Sequence, residues 1–278
     1  MANILITGAS AGIGRAAAIL LASKGHRVIG AGRNVAALAA LAEQSGNLLP
    51  LELDVSDGGG VIAAVDRVAD LLDGAPLDVL VNNAGFACVG PLELLDDAAL
   101  EAQYQTNVLG VLRVTRAFLP AMRERGEGRI INVSSVAGHV ALPFFGPYAS
   151  SKHALEALSD ALRVELRPFG VDVVLVEPGP VKTGFGAGER AQLEAFAEAS
   201  EAYREPLQAI LRFHRELHAR GVDPVRAAGT LVTVCEADYP RARYVVPARY
   251  RLFIALRRWL PTALGDWLLR RRSGLSRL

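Results

Sequence analysis

The segment Tyr148-Ala-Ser-Ser-Lys152 places a phenol and an ammonium four residues apart. On a helix this spacing puts both side chains on one face, about one turn apart. A phenol has a pKa near ~10 and is a poor base at neutral pH, but a neighbouring ammonium stabilises its phenolate. The pair could therefore exchange a proton with a substrate oxygen, although taken alone the two residues could equally be neighbours on the surface.

A glycine-rich turn, "TGASAGIG" (7–14), follows the first predicted strand. Its spacing, G-x-x-x-G-x-G, differs from the G-x-G-x-x-G of many dinucleotide sites. The physical effect is the same, because glycines let the backbone approach a pyrophosphate whose charge meets the N–H groups at the start of a helix. The turn predicts a cofactor-binding site that includes Gly8, Ser10, Gly12, Ile13 and Gly14.

The choice of dinucleotide depends on the residues after the second predicted strand, where an acid would bind the ribose 2′-hydroxyl of NAD. This chain has Arg33 and Asn34 there, after the small Gly32. A guanidinium suits a phosphate dianion, which a carboxylate would repel. The sequence therefore favours NADP(H) over NAD(H), and an ordinary solvated arginine is the alternative.

Further predicted cofactor contacts lie where strands end. Asp54 is placed to accept a hydrogen bond from the adenine amino group, unless it caps the strand end. In "NNAG" (82–85), small residues would let the cofactor lie against the backbone. Open α/β sheets bind ligands at the carboxyl ends of their strands. From this segment we include Asn82, Ala84 and Gly85.

The surrounding chain alternates short β-branched and apolar runs with longer segments rich in Ala and Leu. This alternation favours right-handed βαβ units and a doubly wound parallel sheet, an α/β fold of the Rossmann type. Long helices are predicted over 93–123 and 148–168, and a helical lid over 186–220. We expect one domain, 1–278. Strands are predicted over 3–8, 27–32, 48–55, 78–85, 129–135 and 171–179.

Composition excludes several classes of protein. Of 278 residues, 51% are apolar and 21% charged, which indicates a globular protein. With two distant cysteines, no signal-like start and no apolar run of about 18 residues, we expect a cytoplasmic protein without a disulfide framework or a metal. We interpret His139 and His153 as non-catalytic, and His214 and His218 as solvent-exposed rather than a ligand pair.

These motifs, in this order and spacing, resemble the short-chain dehydrogenase/reductase family over roughly residues 3–185. The resemblance rests on "TGASAGIG", "DV" (54–55), "NNAG", "YQTNVLG" (104–110), "NVSS" (132–135), "YASSK" and "PGPVKT" (178–183). It implies the strand order 3-2-1-4-5-6-7. It also implies cofactor contacts from Val55, Pro178, Gly179, Val181 and Thr183, and from Tyr148 and Lys152 themselves.

The resemblance further implies a catalytic set of Asn107, Ser135, Tyr148 and Lys152. Ser135 is favoured over Ser134 because family members usually place the serine thirteen residues before the tyrosine. Ser135 would donate to the substrate oxygen, and Asn107 would hold a water that links Lys152 to solvent. Lys152 would lower the pKa of Tyr148 and bind the nicotinamide ribose. Members commonly pair through their long helices, so a homodimer or homotetramer is expected.

A hydrophobic substrate is expected because Leu142, Phe144 and Phe145 precede Tyr148, although these residues could equally be core. We favour a bulky alcohol or ketone, such as a steroid, a retinoid or a fatty-acyl-derived carbonyl. The C-terminal extension, about 248–278, resembles the steroid- and retinol-oxidising branch more loosely.

The C-terminal region is strongly basic. Residues 241–278 hold ten arginines and one acid, Asp266, a net +9, so residues 1–240 carry −8 of the overall +1. An apolar stripe beside these arginines could lie on an anionic membrane. Packing on the domain or on a second subunit is favoured over membrane contact. A nucleic-acid role is disfavoured, because no binding module accompanies the arginines.

Three functions therefore compete. The favoured one is a reversible NADPH-dependent carbonyl reductase. A ketoreductase for acyl thioesters would have a basic patch at the mouth of its cleft, for a phosphorylated carrier. A catalytically silent NADP-binding sensor or scaffold would have lost Tyr148 or Lys152, and neither is lost.

Overall fold

The computed structural model describes residues 1–275, except the side chain of Arg258. Its seven strands form one parallel sheet in the order β3-β2-β1-β4-β5-β6-β7, as the resemblance implied. The seventh strand is absent from the runs recognised in the sequence. The strands are β1 (Asn3–Thr7), β2 (Arg27–Gly32), β3 (Leu48–Glu52), β4 (Val79–Asn82), β5 (Gly128–Val133), β6 (Val171–Pro178) and β7 (Arg243–Val246).

Helices cover both faces of the sheet, and successive strand residues alternate between the two cores. Ile4 and Ile6 face a core that helices α1, α2 and α9 complete, whereas Leu5 faces a core closed by α3, α5 and α6. This is the two-sided burial that a parallel sheet requires. These helices are α1 (Gly12–Ser23), α2 (Val35–Ala42), α3 (Gly58–Leu71), α5 (Val111–Arg125), α6 (Gly146–Leu166) and α9 (Pro224–Glu236).

Two predicted strands end three residues early, where side chains form hydrogen bonds at the turns that follow. The predicted strand 78–85 stops at Asn82, since the N–H groups of Asn83 and Ala84 both donate to Thr7 Oγ1 at 3.0 Å. The predicted strand 48–55 stops at Glu52. Two residues later the Asp54 carboxylate accepts hydrogen bonds from Ser56 and turns the chain towards α3.

The predicted helix over 93–123 is interrupted. A short 3₁₀ turn precedes α4 (Asp97–Tyr104), and a π-helical turn, Gln105–Gly110, joins α4 to α5. Such turns often accompany functional sites, and this one contains Asn107. The second long helix, α6, begins two residues earlier than predicted, with Pro147 in its first turn, where the missing N–H has no cost.

The predicted lid, 186–220, consists of two helices, α7 (Gly184–Ala199) and α8 (Glu201–Ala219), which break at the extended Ser200. The C-terminal extension forms α10 (Arg249–Trp259) and α11 (Thr262–Ser273), and its last residues, 276–278, lie outside the described part. Within residues 1–275 the helices are all too short or too polar to cross a bilayer. The assignment of the chain to one domain stays a prediction.

Candidate active site

A cleft of about 1540 Å³ runs along the carboxyl ends of the strands. This volume exceeds the roughly 300–1,000 Å³ that one small-molecule ligand typically occupies, so the cleft has room for two. One half is lined by the glycine turn and the ends of β2 and β4. The other half is lined by α6, the lid helices and the C-terminal helices.

The glycine turn has the backbone geometry that only glycine adopts without strain. Gly8 and Gly12 have φ of +68° and +57°, and a Cβ at Gly8 would lie 2.8 Å from the Cα of Ala84. Gly14 does not line the cleft; a Cβ there would meet Asn83 and would lie 2.5 Å from the Gly8 oxygen. Ser10 and Ile13 line the cleft beside these glycines.

The first N–H groups of α1 point into this turn. The residue before the helix is Ala11, so among the described residues no side chain caps these groups. Uncapped N–H groups and the positive end of the helix dipole suit an anion. The cradle therefore fits the pyrophosphate of a dinucleotide, which Gly8, Ser10, Gly12 and Ile13 would hold.

Asn82 and Asn83 have different positions. Asn83 lines the cleft, and its amide donates to the carbonyl of Thr7 at 2.9 Å, which joins the ends of β1 and β4. Asn82 is buried behind the cleft, where its amide donates to Thr115 and Asn132. The cleft residue of this pair is thus Asn83, and not Asn82 as predicted from the sequence. The next two residues of this segment, Ala84 and Gly85, also line the cleft.

The end of the cleft where the adenosine of a dinucleotide would bind is lined by Arg33, Asn34, Asp54 and Val55. The Arg33 side chain is 79% exposed, and its nearest guanidinium nitrogen lies 4.0 Å from Asp54 Oδ2. Asn34 Oδ1 accepts from Ala37 N and so caps α2. Burial tends to raise the pKa of Asp54, but hydrogen bonds from Ser56 and the charge of Arg33 lower it overall.

The end of β6 supplies Pro178, Gly179, Val181 and Thr183 to the same cleft. Thr183 Oγ1 accepts from Phe185 N at 3.3 Å and so begins α7. These residues would face the nicotinamide half of a bound dinucleotide, and their position links that half directly to the lid.

Tyr148, Ser135 and Lys152 line the cleft together. Tyr148 and Lys152 lie in the first turns of α6, and Ser135 lies just past β5, where its hydroxyl is close enough to the phenol to lower the phenol's pKa. The Ser135 hydroxyl also contacts the Pro178 carbonyl at 3.3 Å. Ser134 also lines the cleft, but it is more deeply buried, and its hydroxyl lies near Glu156.

The electrostatics of Tyr148 differ from the expectation. Burial raises the pKa of Tyr148, the Ser135 hydrogen bond lowers it, and the negative charge of Glu189 raises it further. The Lys152 ammonium lies 6.0 Å from the centre of the phenol ring and donates to the Val133 carbonyl at 2.9 Å. Burial lowers the pKa of Lys152 to about 8, against the charge of Glu156. The groups that shift the pKa of Tyr148 here are its buried surroundings, Ser135 and Glu189.

Asn107 is buried and does not line the cleft. Its side chain accepts from Phe86 N at 3.1 Å, donates to Phe86 O at 2.9 Å and donates to Ser151 Oγ at 3.2 Å. Ser151 directly precedes Lys152 in α6. Asn107 thus joins the π-helical turn, the loop after β4 and α6.

A buried charged cluster lies behind Lys152. His139 Nε2 is 3.1 Å from Glu177 and 3.7 Å from Glu156, and Arg243 contacts both carboxylates at 3.2 Å. The hydrogen bond to Glu177 raises the pKa of His139. The sequence interpretation gave His139 no carboxylate partner, because these partners come from α6 and β6, which are distant in sequence.

A second cluster lies in the lid. Glu189 Oε2 contacts His214 Nε2 at 2.9 Å and His218 Nε2 at 3.2 Å, and all three residues line the cleft. Burial would raise the pKa of Glu189, but the hydrogen bonds from both imidazoles lower it overall. His214 is 4% exposed, so its expected solvent exposure is wrong.

The wall beside Tyr148 is largely apolar. Leu142 and Phe145 line the cleft, whereas Phe144 packs edge-on against Tyr203 of α8, outside it. Phe185 lies 5.6 Å from the phenol ring, and sequence analysis missed it because the lid carries no motif. The C-terminal helices complete this half of the cleft with Tyr250, Phe253, Leu256, Leu260, Leu268 and Leu269.

The chain is similar to known proteins over nearly its whole length. It is 37% identical to human 17-beta-hydroxysteroid dehydrogenase type 1, over 91% of this chain and 80% of that protein. It is 33% identical to an NADPH-dependent 3-dehydrocapnine reductase of Ornithobacterium rhinotracheale, over 96% and 95%. A crystal structure of a short-chain dehydrogenase from Streptomyces avermitilis superposes with a TM-score of 0.80 and 32% identity, over 99% of this chain and 97% of that one.

The family model for short chain dehydrogenases matches residues 2–194, which contain the glycine turn, the Tyr148–Lys152 pair and strands β1 to β6. The fold, the strand order and these similarities agree, and the chain belongs to the short-chain dehydrogenase/reductase family of oxidoreductases.

Proposed function

We propose that this protein is an NADP(H)-dependent oxidoreductase that interconverts a ketone or aldehyde and the corresponding alcohol of a bulky hydrophobic compound. The observation that carries the proposal is that Tyr148, Ser135 and Lys152 share one cleft with a glycine cradle and an apolar wall.

The protein would supply orientation and proton transfer, while a bound nicotinamide would give or accept the hydride. The Tyr148 phenol donates a proton to the oxygen of the reduced carbonyl, or accepts one from the alcohol. The Ser135 hydroxyl donates to the same oxygen, and such a donor can contribute about 3 kcal/mol. Lys152 brings a positive charge within reach of the phenol. Asn107 acts as a positioning residue through Ser151.

The proposed preference for NADP(H) rests on Arg33. Its side chain is exposed within the cleft and held only by a 4.0 Å contact to Asp54, so it is free to meet a 2′-phosphate. Asn34 is already engaged as a helix cap. The NADPH-dependent relative supports the same preference.

The proposed substrate class rests on the apolar wall formed by Leu142, Phe145, Phe185 and the C-terminal helices. The names of the two relatives, a hydroxysteroid dehydrogenase and a 3-dehydrocapnine reductase, fit an alcohol or ketone on a larger compound.

The test is Tyr148→Phe, with Tyr239→Phe as its control because Tyr239 is 96% exposed. We expect at least a hundredfold loss of NADPH consumption across a panel of hydrophobic ketones in Tyr148→Phe, because the proton donor is gone. NADPH binding, followed by its fluorescence, should persist in both variants. Undiminished turnover in Tyr148→Phe would remove the proposal.

A second candidate is a 3-ketoreductase for acyl thioesters. It is favoured by one feature, the guanidinium groups of Arg249, Arg257, Arg271 and Arg272 along the outer part of the cleft, which suit a phosphorylated carrier. Turnover of a 3-ketoacyl thioester on a phosphopantetheine carrier, compared with the free ketone of equal chain length, distinguishes the two.

A further inference from the structure

Helices α10 and α11 leave large apolar side chains exposed. Leu252, Leu256 and Trp259 follow helical spacing on α10, and Trp259 is 85% exposed. Leu264, Trp267 and Leu268 form a similar face on α11, each more than 40% exposed. Monomeric proteins seldom expose a contiguous apolar surface of this kind unless it contacts something.

Arginines flank this apolar surface. Arg251 and Arg270 are exposed, and the Arg271 guanidinium lies 5.3 Å from the ring of Trp267. The only acid after residue 240 is Asp266. Helices that lie in a lipid headgroup layer combine arginine on one face with tryptophan and leucine on the other. We propose that α10 and α11 form a docking surface for an anionic lipid bilayer.

The docking surface continues into the cleft. Phe253, Leu256 and Leu268 are exposed and also line the cleft wall, so the apolar wall reaches the outer surface. Arginines such as Arg257 and Arg271 line the same cleft. A cleft docked in this way opens onto the bilayer, and a hydrophobic substrate would pass into it without crossing water. This last step rests on the proposed function, whereas docking itself does not.

The two tryptophans of the chain make docking measurable. Trp259 and Trp267 are the only tryptophans, and both lie on the docking surface. Intrinsic fluorescence of the full chain therefore reports on this surface alone. With vesicles of phosphatidylcholine and phosphatidylglycerol we expect a blue shift and co-sedimentation. With phosphatidylcholine alone, or at high salt, we expect much less, because headgroup charge attracts the arginines.

Variants at the docking surface have matched controls elsewhere. Leu252→Glu should weaken vesicle binding, unlike Ile62→Glu on α3, where the replaced side chain is similarly exposed. Arg251→Glu with Arg270→Glu should weaken binding to anionic vesicles at least tenfold, since each arginine near the surface contributes about 1 kcal/mol. The control, Arg116→Glu with Arg123→Glu on α5, changes the net charge equally.

The proposal is overturned if the wild-type protein does not bind anionic vesicles, or if the control variants lose binding as fully as the docking-surface variants. It is also overturned if Leu252→Glu changes the oligomeric state in gel filtration while vesicles leave the fluorescence unchanged, which would assign the surface to a second copy. NADPH binding without lipid checks that each variant is folded. A protein that turns over no ketone but still binds vesicles would refute only the proposed function.

Discussion

The ammonium of Lys152 donates a hydrogen bond to the carbonyl oxygen of Val133, 2.9 Å away, at the last residue of β5. Ser135 follows β5 two residues later, and Tyr148 lies one turn before Lys152 on α6. This hydrogen bond joins the end of β5, which leads to Ser135, to the helix that carries Tyr148. The same bond gives the buried ammonium a hydrogen-bond acceptor. Burial lowers the pKa of this ammonium to about 8.

Lys152→Met should remove a pH dependence of stability. The pKa of Lys152 is about 8 in the folded chain and 10.5 for an unperturbed lysine, so between these values the unfolded chain binds more protons. The free energy of unfolding therefore rises with pH across that window, by on the order of 3 kcal/mol. Below pH 8 the full cost of the buried charge remains.

Urea unfolding of the apo protein at pH 7 and pH 10 measures this rise. The difference between wild type and Lys152→Met isolates Lys152 from other groups that titrate in the window. Lys182→Met is the control, because Lys182 is exposed. An equal rise in wild type and Lys152→Met would show that the lysine is charged in the fold throughout.

Gly14→Ala should weaken dinucleotide binding without touching the cleft. The new Cβ would displace the Asn83 amide, which joins β1 to β4 through the Thr7 carbonyl, and would crowd the Gly8 oxygen. We expect at least a tenfold weaker Kd for NADPH, measured by fluorescence titration, and a lower Tm. Gly188→Ala on α7 is the control, because a Cβ added there would meet no heavy atom within 4 Å. Alanine should also stabilise this helix by up to about 1 kcal/mol relative to glycine. Unchanged NADPH binding in Gly14→Ala would mean that displacement of the Asn83 amide does not disturb the glycine turn.

The parts of the site that sequence predicts well are local. Tyr148 and Lys152 share a helix face because they are four residues apart, and Gly8 and Gly12 need positive φ in one short turn. Asn82 and Asn83 mark the limit of this reasoning. Neighbouring residues of a strand point to opposite faces, so the residue that lines the cleft depends on where Thr7 ends the strand.

The parts that sequence misses are assembled by tertiary packing. Glu189 meets His214 and His218 because α7 packs against α8, and the break at Ser200 that permits this has no glycine or proline to mark it. The raised pKa of Tyr148 likewise arises from burial under the lid, which the spacing of residues on α6 does not encode.

Arg33→Asp should shift the cofactor preference towards NADH. Arg33 is 79% exposed and makes one long contact, so its replacement should leave the fold intact. A hydrogen bond to a charged group contributes about 1.5–3 kcal/mol, which corresponds to a ten- to hundredfold fall in the ratio of kcat/KM for NADPH over NADH. Arg67→Asp, on α3, is the control. A preserved ratio in Arg33→Asp would refute the contact to the 2′-phosphate.

Glu189→Gln should lower the apparent pKa for alcohol oxidation. The Glu189 carboxylate raises the pKa of Tyr148, and the isosteric amide removes that negative charge. Since oxidation requires the tyrosine to accept a proton, the pH profile of kcat/KM should move to lower pH. The control is Glu194→Gln on the same helix, where the carboxylate is 52% exposed and 3.7 Å from Arg190.

Urea unfolding separates the effect of Glu189 on the pKa of Tyr148 from a purely structural role of Glu189. The pKa of Glu189 is lowered in the fold, so its hydrogen bonds to the imidazoles stabilise the protein above the unfolded pKa of a glutamate and are lost as pH falls through the folded pKa. Glu189→Gln should therefore unfold at a lower urea concentration at neutral pH. A lower midpoint with an unmoved pH profile would assign Glu189 to holding the lid alone, because only a charge near Tyr148 changes the pH at which the phenol accepts its proton.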